Sequence, residues 1–171
     1  MLLHFNLRPV LFINGVLLAI LSVGMMVPAL ADALVSDANW KVFAASSGVT
    51  MFIAVSLMIA TRQDRGILNP RQAFIMVFAS WLATALFGAL PFLFSDAVLS
   101  FSDAFFESTS GITTTGATVL TNLETLSPGL LLWRGMLQWL GGIGLIVMAI
   151  FVLPELRVGG MQFFRPEGAH P

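Results

Sequence analysis

An all-α membrane protein is the fold class this sequence predicts, and three observations predict it. The mean hydropathy is +0.91. Charged residues make up 10% of the chain, against roughly 25% in soluble domains. The apolar residues also gather into four blocks, each near the ~20 residues that a helix needs to cross a hydrocarbon core about 30 Å thick. Other classes drop out on composition. The net charge is -1 with no basic tract, so nucleic-acid binding has no electrostatic footprint. Cysteine is absent, which removes disulfides, thiolate metal sites and cysteine nucleophiles. His4 and His170 stand near opposite ends, so no histidine cluster forms within one chain. Without a histidine pair, a cysteine or an aspartate pair at membrane depth, an enzyme is not expected.

The first block covers about residues 9–30 and is uncharged. It has a second reading. Arg8, the apolar run and Ala29-Leu30-Ala31 imitate a signal peptide with a small-residue cleavage site, and Gly24 and Pro28 would loosen a helix just before it. The length of the run favours a retained span. The second block, about 42–60, and the third, about 72–94 with Pro91 near its end, are also uncharged. The fourth, about 130–153, contains a single charge, Arg134, and Pro154 is expected to close it.

Basic residues set the orientation. Arg8, then Arg62, Arg65 and Arg71, then Arg157 and Arg165 fall on one side of four crossings. The opposite linkers hold Lys41 and the acids Asp32, Asp37, Asp96, Asp103, Glu107 and Glu124. Both termini are therefore expected inside, with linkers 31–41 and 95–129 outside. Trp40 and Trp133 are expected in the outer interfacial belt, and Trp81 and Trp139 deeper, in packing. Gly141, Gly142 and Gly144 fall within the fourth block, where glycine permits close helix approach.

Residues 95–129 do not read as an ordinary linker. Ser100 followed by Asp103 is a helix-capping pattern. Phe101, Phe105 and Phe106 follow at near-helical spacing, and Gly111 is a natural stop. The helix predicted over 101–110 is about 15 Å long, half a bilayer. Then comes Ile112-Thr113-Thr114-Thr115-Gly116-Ala117-Thr118-Val119. Threonine runs favour extended backbone, and Gly116 admits dihedrals that a side chain forbids. Thr-rich stretches are also common surface loops. Here an apolar half-length helix precedes the stretch, spans flank it and acids line its mouth. Together they favour a segment that enters the membrane and climbs back out, the layout of a cation selectivity filter.

Two charges bear on that segment. Glu107 either holds the loop backbone or stands solvated at the rim. Arg134 either neutralises Glu107 or Glu124 or reaches the interface. Asp96, Asp103 and Glu124 either concentrate cations at the mouth or are ordinary loop charges.

GITTTGATVL, together with WRGMLQWLGGIGLIVMAIFVLPELRVGGMQFF, resembles the Trk/Ktr/HKT superfamily of potassium transporters. The likeness is closest to the bacterial Trk-type membrane subunit and extends over essentially the whole chain. It implies two leading transmembrane helices (1–65) plus one helix–re-entrant pore loop–helix unit of a potassium-channel-like fold (66–160), with 161–171 as a tail. The pore helix would be about 101–111 and the filter about 113–118. Carried over residue by residue, the filter is Thr113, Thr114, Thr115, Gly116, Ala117 and Thr118. The carbonyls of Thr113 to Ala117 would face potassium, placed at Thr114, Thr115 and Gly116, while Glu107 and Arg134 support the loop.

The resemblance further implies potassium uptake across a bacterial inner membrane, as a multi-pass protein with both termini cytoplasmic. No cofactor is implied besides the transported ion. The partners implied are the lipid bilayer, a second copy in a homodimer of the complete protein, and a cytoplasmic, TrkA-like nucleotide-binding regulatory subunit. Family members carry four such units. The expectation is therefore that the chain is the N-terminal quarter-pore portion of a longer product. The alternative is a non-conducting structural or regulatory membrane protein.

Overall fold

The computed structural model describes residues 7–62, 70–121 and 123–160, with backbone alone at 70, 71, 149 and 151–160. Arg65, Arg165, both histidines and the tail 161–171 lie outside the described residues. The described chain is helical: α1 (Arg8–Leu34), α2 (Trp40–Thr61), α3 (Pro70–Gly88), α4 (Leu90–Phe94), α5 (Phe101–Ile112) and α6 (Pro128–Gly160), with a 3-10 turn at Leu123–Thr125. Among the described residues four stretches are long and apolar enough to cross a membrane: Arg8–Leu34, Trp40–Thr61, Gln72–Phe94 and Pro128–Met148. They coincide with the four apolar blocks.

Prolines change the boundaries less than expected. Pro28 sits inside α1, and the segment resembling a cleavage site is helical, with Met25 and Ala29 in the core. Pro154 does not close the last helix, because α6 runs on to Gly160. Proline removes one backbone bond, but the rest of the ladder carries each helix past it. Pro91 has a similar effect on the third block, which is divided into α3 and α4 at Ala89. The bonds Ala89 N–H to Ala85 O (3.1 Å) and Leu93 N–H to Ala89 O (2.9 Å) carry the helical run across the division.

Helix α1 packs against α2, α3 and α6, and α5 is held between α3 and α6. Ser22 and Ser47 donate to each other's carbonyls, at 2.8 and 2.9 Å, joining α1 to α2. Trp133 is fully buried on α6, edge-on to Phe43 at 6.3 Å, and its indole N–H donates to Gly88 O at 3.0 Å. It is not an interfacial-belt residue. Its polar handle is satisfied internally, by Gly88 at the end of α3, while Phe43 of α2 packs on its ring. Trp81 packs against the core, whereas Trp139 is 68% exposed and does not take the expected packing role within this chain.

Asp32 departs furthest from expectation. It is a fully buried residue of α1 rather than a linker acid. Its carboxylate accepts from Gly129 N–H (2.6 Å) and the Ser127 hydroxyl (3.2 Å). Ser127 in turn accepts from Leu130 N–H at 3.3 Å. The negative charge thus sits on the positive end of α6, where orphan N–H groups need acceptors. A Cβ on Gly129 would overlap the Asp32 carboxylate, so that position must be glycine for the cap to form. Asn39 and Asp96 tie the two linkers at this end together, at 3.3 and 3.4 Å.

Asp32→Ala should lower stability by about 1–2 kcal/mol, the usual value of a lost helix cap. The check is the thermal unfolding midpoint of the purified protein in detergent, and an unchanged midpoint would mean that the cap is redundant.

Candidate functional site: the loop behind α5

The site is built on α5. Ser100, in extended conformation, accepts from Asp103 N–H (3.2 Å), and its hydroxyl donates to the Asp103 carboxylate (2.7 Å). This is the cap that the sequence predicts. The helix stop is elsewhere. Gly111 stays helical, and Thr114 takes the left-handed conformation (φ 58°) instead. Thr115 N–H bonds to Ser110 O (3.0 Å) and Thr114 N–H to Gly111 O (2.9 Å). That is a Schellman ending, whose two bonds offset the roughly 1–2 kcal/mol of left-handed strain in a residue with a Cβ. Thr113 and Thr114 therefore belong to the helix end, and the predicted extended stretch begins only at Thr115. The chain is irregular from 115 to 121, and residues 113–119 are exposed.

Gly111 is glycine for contact rather than conformation. A Cβ there would lie 3.0 Å from Leu137 Cβ, and a Cβ on Gly141 would overlap the Ile112 carbonyl. Around Gly142 and Gly144 a Cβ meets nothing within 4 Å, so of the three glycines expected to permit close approach only Gly141 does so here. Gly88 faces the Ser108 hydroxyl from α3, where a Cβ would be 2.6 Å away. Small residues on three helices thus let α5 wedge between α3 and α6.

Gly116 has φ +77° and open space where a Cβ would stand. Its requirement is conformational, not steric. Around it, the back of the loop is saturated with hydrogen bonds. Glu107, fully buried on α5, accepts at Oε1 from the Thr118 hydroxyl (2.6 Å), Val119 N–H and Leu120 N–H (3.3 Å). Its Oε2 pairs with Arg134 Nε at 3.1 Å. Arg134 Nη2 then donates to Gly116 O (3.0 Å) and Ala117 O (3.4 Å), and the Ser110 hydroxyl also donates to Ala117 O (2.6 Å).

The structure therefore brings Glu107, Arg134 and residues 113–118 into one assembly. Glu124 stands apart, exposed in the 3-10 turn. Ser110 was not singled out from the sequence, where nothing distinguishes it from its serine and threonine neighbours. Among the described residues no hydrogen bond reaches the carbonyl oxygens of Thr113, Thr114 or Thr115. The carbonyls expected to face one ion thus fall into two sets. Those of Gly116 and Ala117 are taken by donors from behind, and those of the three threonines are open. The Thr113 and Thr115 hydroxyls bond to each other at 2.8 Å, and Thr113 Oγ1 also donates to Thr109 O at 2.7 Å.

The family model described as TrkH, cation transport protein, matches residues 41–171. The Trk system potassium uptake protein TrkH of Escherichia coli K12 is 41% identical over 169 residues, covering 98% of this chain and 35% of its own. TrkH of Halomonas elongata is 41% identical over 163 residues, covering 95% and 34%. The crystal structure of the potassium transporter TrkH from Vibrio parahaemolyticus matches with a TM-score of 0.84 at 39% identity, over 95% of this chain and 34% of that one. The chain spans about a third of the length of the relatives it matches.

Glu107→Gln keeps the size of the side chain but sets an amide where Arg134 needs an anion. It should destabilise the protein by about 3 kcal/mol, the lower range for breaking a buried pair from one side. A double-mutant cycle with Arg134→Gln, read by unfolding in detergent, should show strong coupling, and additive losses would dismiss the clamp.

Proposed function

The chain belongs to the TrkH family of cation transport proteins, and from that premise we propose that it supplies one pore unit of a potassium uptake protein. Its class is a transport protein, not an enzyme. In this reading α3 and α6 are the flanking spans, α5 is the pore helix, and the loop from Thr113 to Thr118 is the re-entrant segment that meets the ion. The membrane is the bacterial inner membrane, with both termini cytoplasmic and the loop entered from outside.

The observation that carries the reading is the two-sided loop. A cation that sheds water needs carbonyl oxygens to replace it. The Thr113, Thr114 and Thr115 carbonyls are open to do so, while the Gly116 and Ala117 carbonyls anchor the loop to Arg134. A fixed positive charge beside the path would repel the ion, and the contact with buried Glu107 compensates it. Asp96 and Glu124 are exposed at the same end of the molecule as the loop, where acids raise local cation concentration. One loop supplies one side of a coordination shell. The rest comes from further units of the same kind, and a second copy and a cytoplasmic nucleotide-binding subunit complete the proposed assembly.

The test is a chimera in which this chain replaces the matched third of the Escherichia coli TrkH protein. It would be expressed in a strain without potassium uptake, at limiting potassium. The chimera should restore growth. Gly116→Ala within it, which forces a Cβ into φ +77°, should reduce uptake about ten-fold for a strain of roughly 1.4 kcal/mol. Equal uptake by the Gly116→Ala chimera would sink the filter assignment, and an inserted but inactive chimera would favour a structural or regulatory protein.

A further inference from the structure

At the end of α2 near Trp40 lies a cleft of about 490 Å³ between α2 and α4, within the size range of small-molecule sites. Val42, Ala45 and Val49 line it from α2, Leu90 and Phe94 from α4. Among the described residues the one charge on its wall is Lys41. From Val42 to Val49 the stripe runs about 10 Å along the helix axis, roughly two thirds of one leaflet's hydrocarbon depth. Val49 and Phe94 are 54% and 64% exposed, so the cleft opens sideways onto the surface that faces the bilayer.

Lys41, in the first turn of α2, is the one basic residue of the stretches 31–41 and 95–129. Among the described residues its ammonium has no carboxylate partner. Its recorded contact is with the ring of Trp40, 5.9 Å from the centroid. Trp40 is 41% exposed, as an aromatic at headgroup level would be. A cation at headgroup height above an apolar slot that takes the upper part of an acyl chain is complementary to one class of molecule. We propose that this cleft holds a glycerophospholipid, with its phosphate on Lys41 and the upper part of an acyl chain between α2 and α4. The inference uses the membrane-spanning reading of α2, α3 and α4 and does not depend on the filter.

The probe is dioleoylphosphatidylglycerol added to the full chain in detergent, with adducts read by native mass spectrometry. Dioleoylglycerol, which lacks the phosphate, is the comparison. Lys41→Gln should weaken phosphatidylglycerol retention about five-fold and leave dioleoylglycerol unchanged. Ala45→Trp fills the slot and should remove both adducts while circular dichroism keeps the native helix content. Val49→Phe serves the same purpose should Ala45→Trp fail to fold. Retention unchanged by either kind of variant overturns the assignment, since headgroup and chain are claimed together. A dimer mass lost on filling the slot, and indifferent to lipid, would make a second copy the occupant and also overturn it. None of these variants touches residues 107–134, so a failed result here leaves the transport test standing.

Discussion

The loop after α5 depends on one buried carboxylate. Glu107 is fully shielded from solvent, and an ion in that position is tolerated only when every lone pair is used. Its two oxygens take three donors from residues 118–120 and one from Arg134. That need explains the path of the chain. Residues 118–120 must pass beside α5 because the carboxylate requires their donors, and Arg134 must face inward from α6 because the carboxylate requires its charge. Arg134 then has donors to spare, and these reach the Gly116 and Ala117 carbonyls. Desolvation of one residue thus fixes the position of a segment that has no regular secondary structure of its own.

The clamp works only if α5 lies close to both neighbours. The space comes from absent side chains: Gly88 on α3, Gly111 on α5 and Gly141 on α6 each stand where a Cβ would press on the opposing helix. The axial position of α6 depends in turn on Asp32, which holds the start of that helix from α1. A shift of α6 by one residue would carry Arg134 about 1.5 Å along the axis and about 100° around it, away from Glu107. The leading helix pair and the loop are therefore mechanically connected. Asp32 sets where α6 begins, and α6 sets where Arg134 points.

Much of this was legible in the sequence where the physics is local. Four apolar runs of spanning length announce four helices, since the length requirement comes from the bilayer and not from tertiary detail. The cap at Ser100 and Asp103 is visible because both partners lie within one turn. Glu107 and Arg134 stood out as charges among apolar residues. Illegible features depend on partners distant in the chain. Asp32 reads as a linker acid because Gly129 is 97 positions away. Trp133 reads as interfacial because Phe43 and Gly88, which receive it, lie 90 and 45 positions away. Gly111 looks like a helix stop because left-handed glycine is the common ending. Here it is glycine so that Leu137 can lie against it, and the left-handed role passes to Thr114.

The transfer of that role to a threonine has a consequence for the loop. A left-handed glycine at 114 would leave the ending adaptable, because glycine visits many conformations at little cost. Threonine is stiff at χ1 and strained at φ 58°, so it holds the conformation only while the two Schellman bonds and the Glu107 clamp hold the chain on either side. The segment that these anchors hold is three residues long, Thr113 to Thr115. The Thr113 and Thr115 hydroxyls bond to each other and Thr113 to Thr109 O, and among the described residues no donor reaches the three carbonyls. A loop pinned at both ends, with its oxygens unsatisfied on one face only, cannot relax to satisfy them internally. Exposed as they are, with no donor reaching them among the described residues, they are left to bond to groups outside the chain, water first.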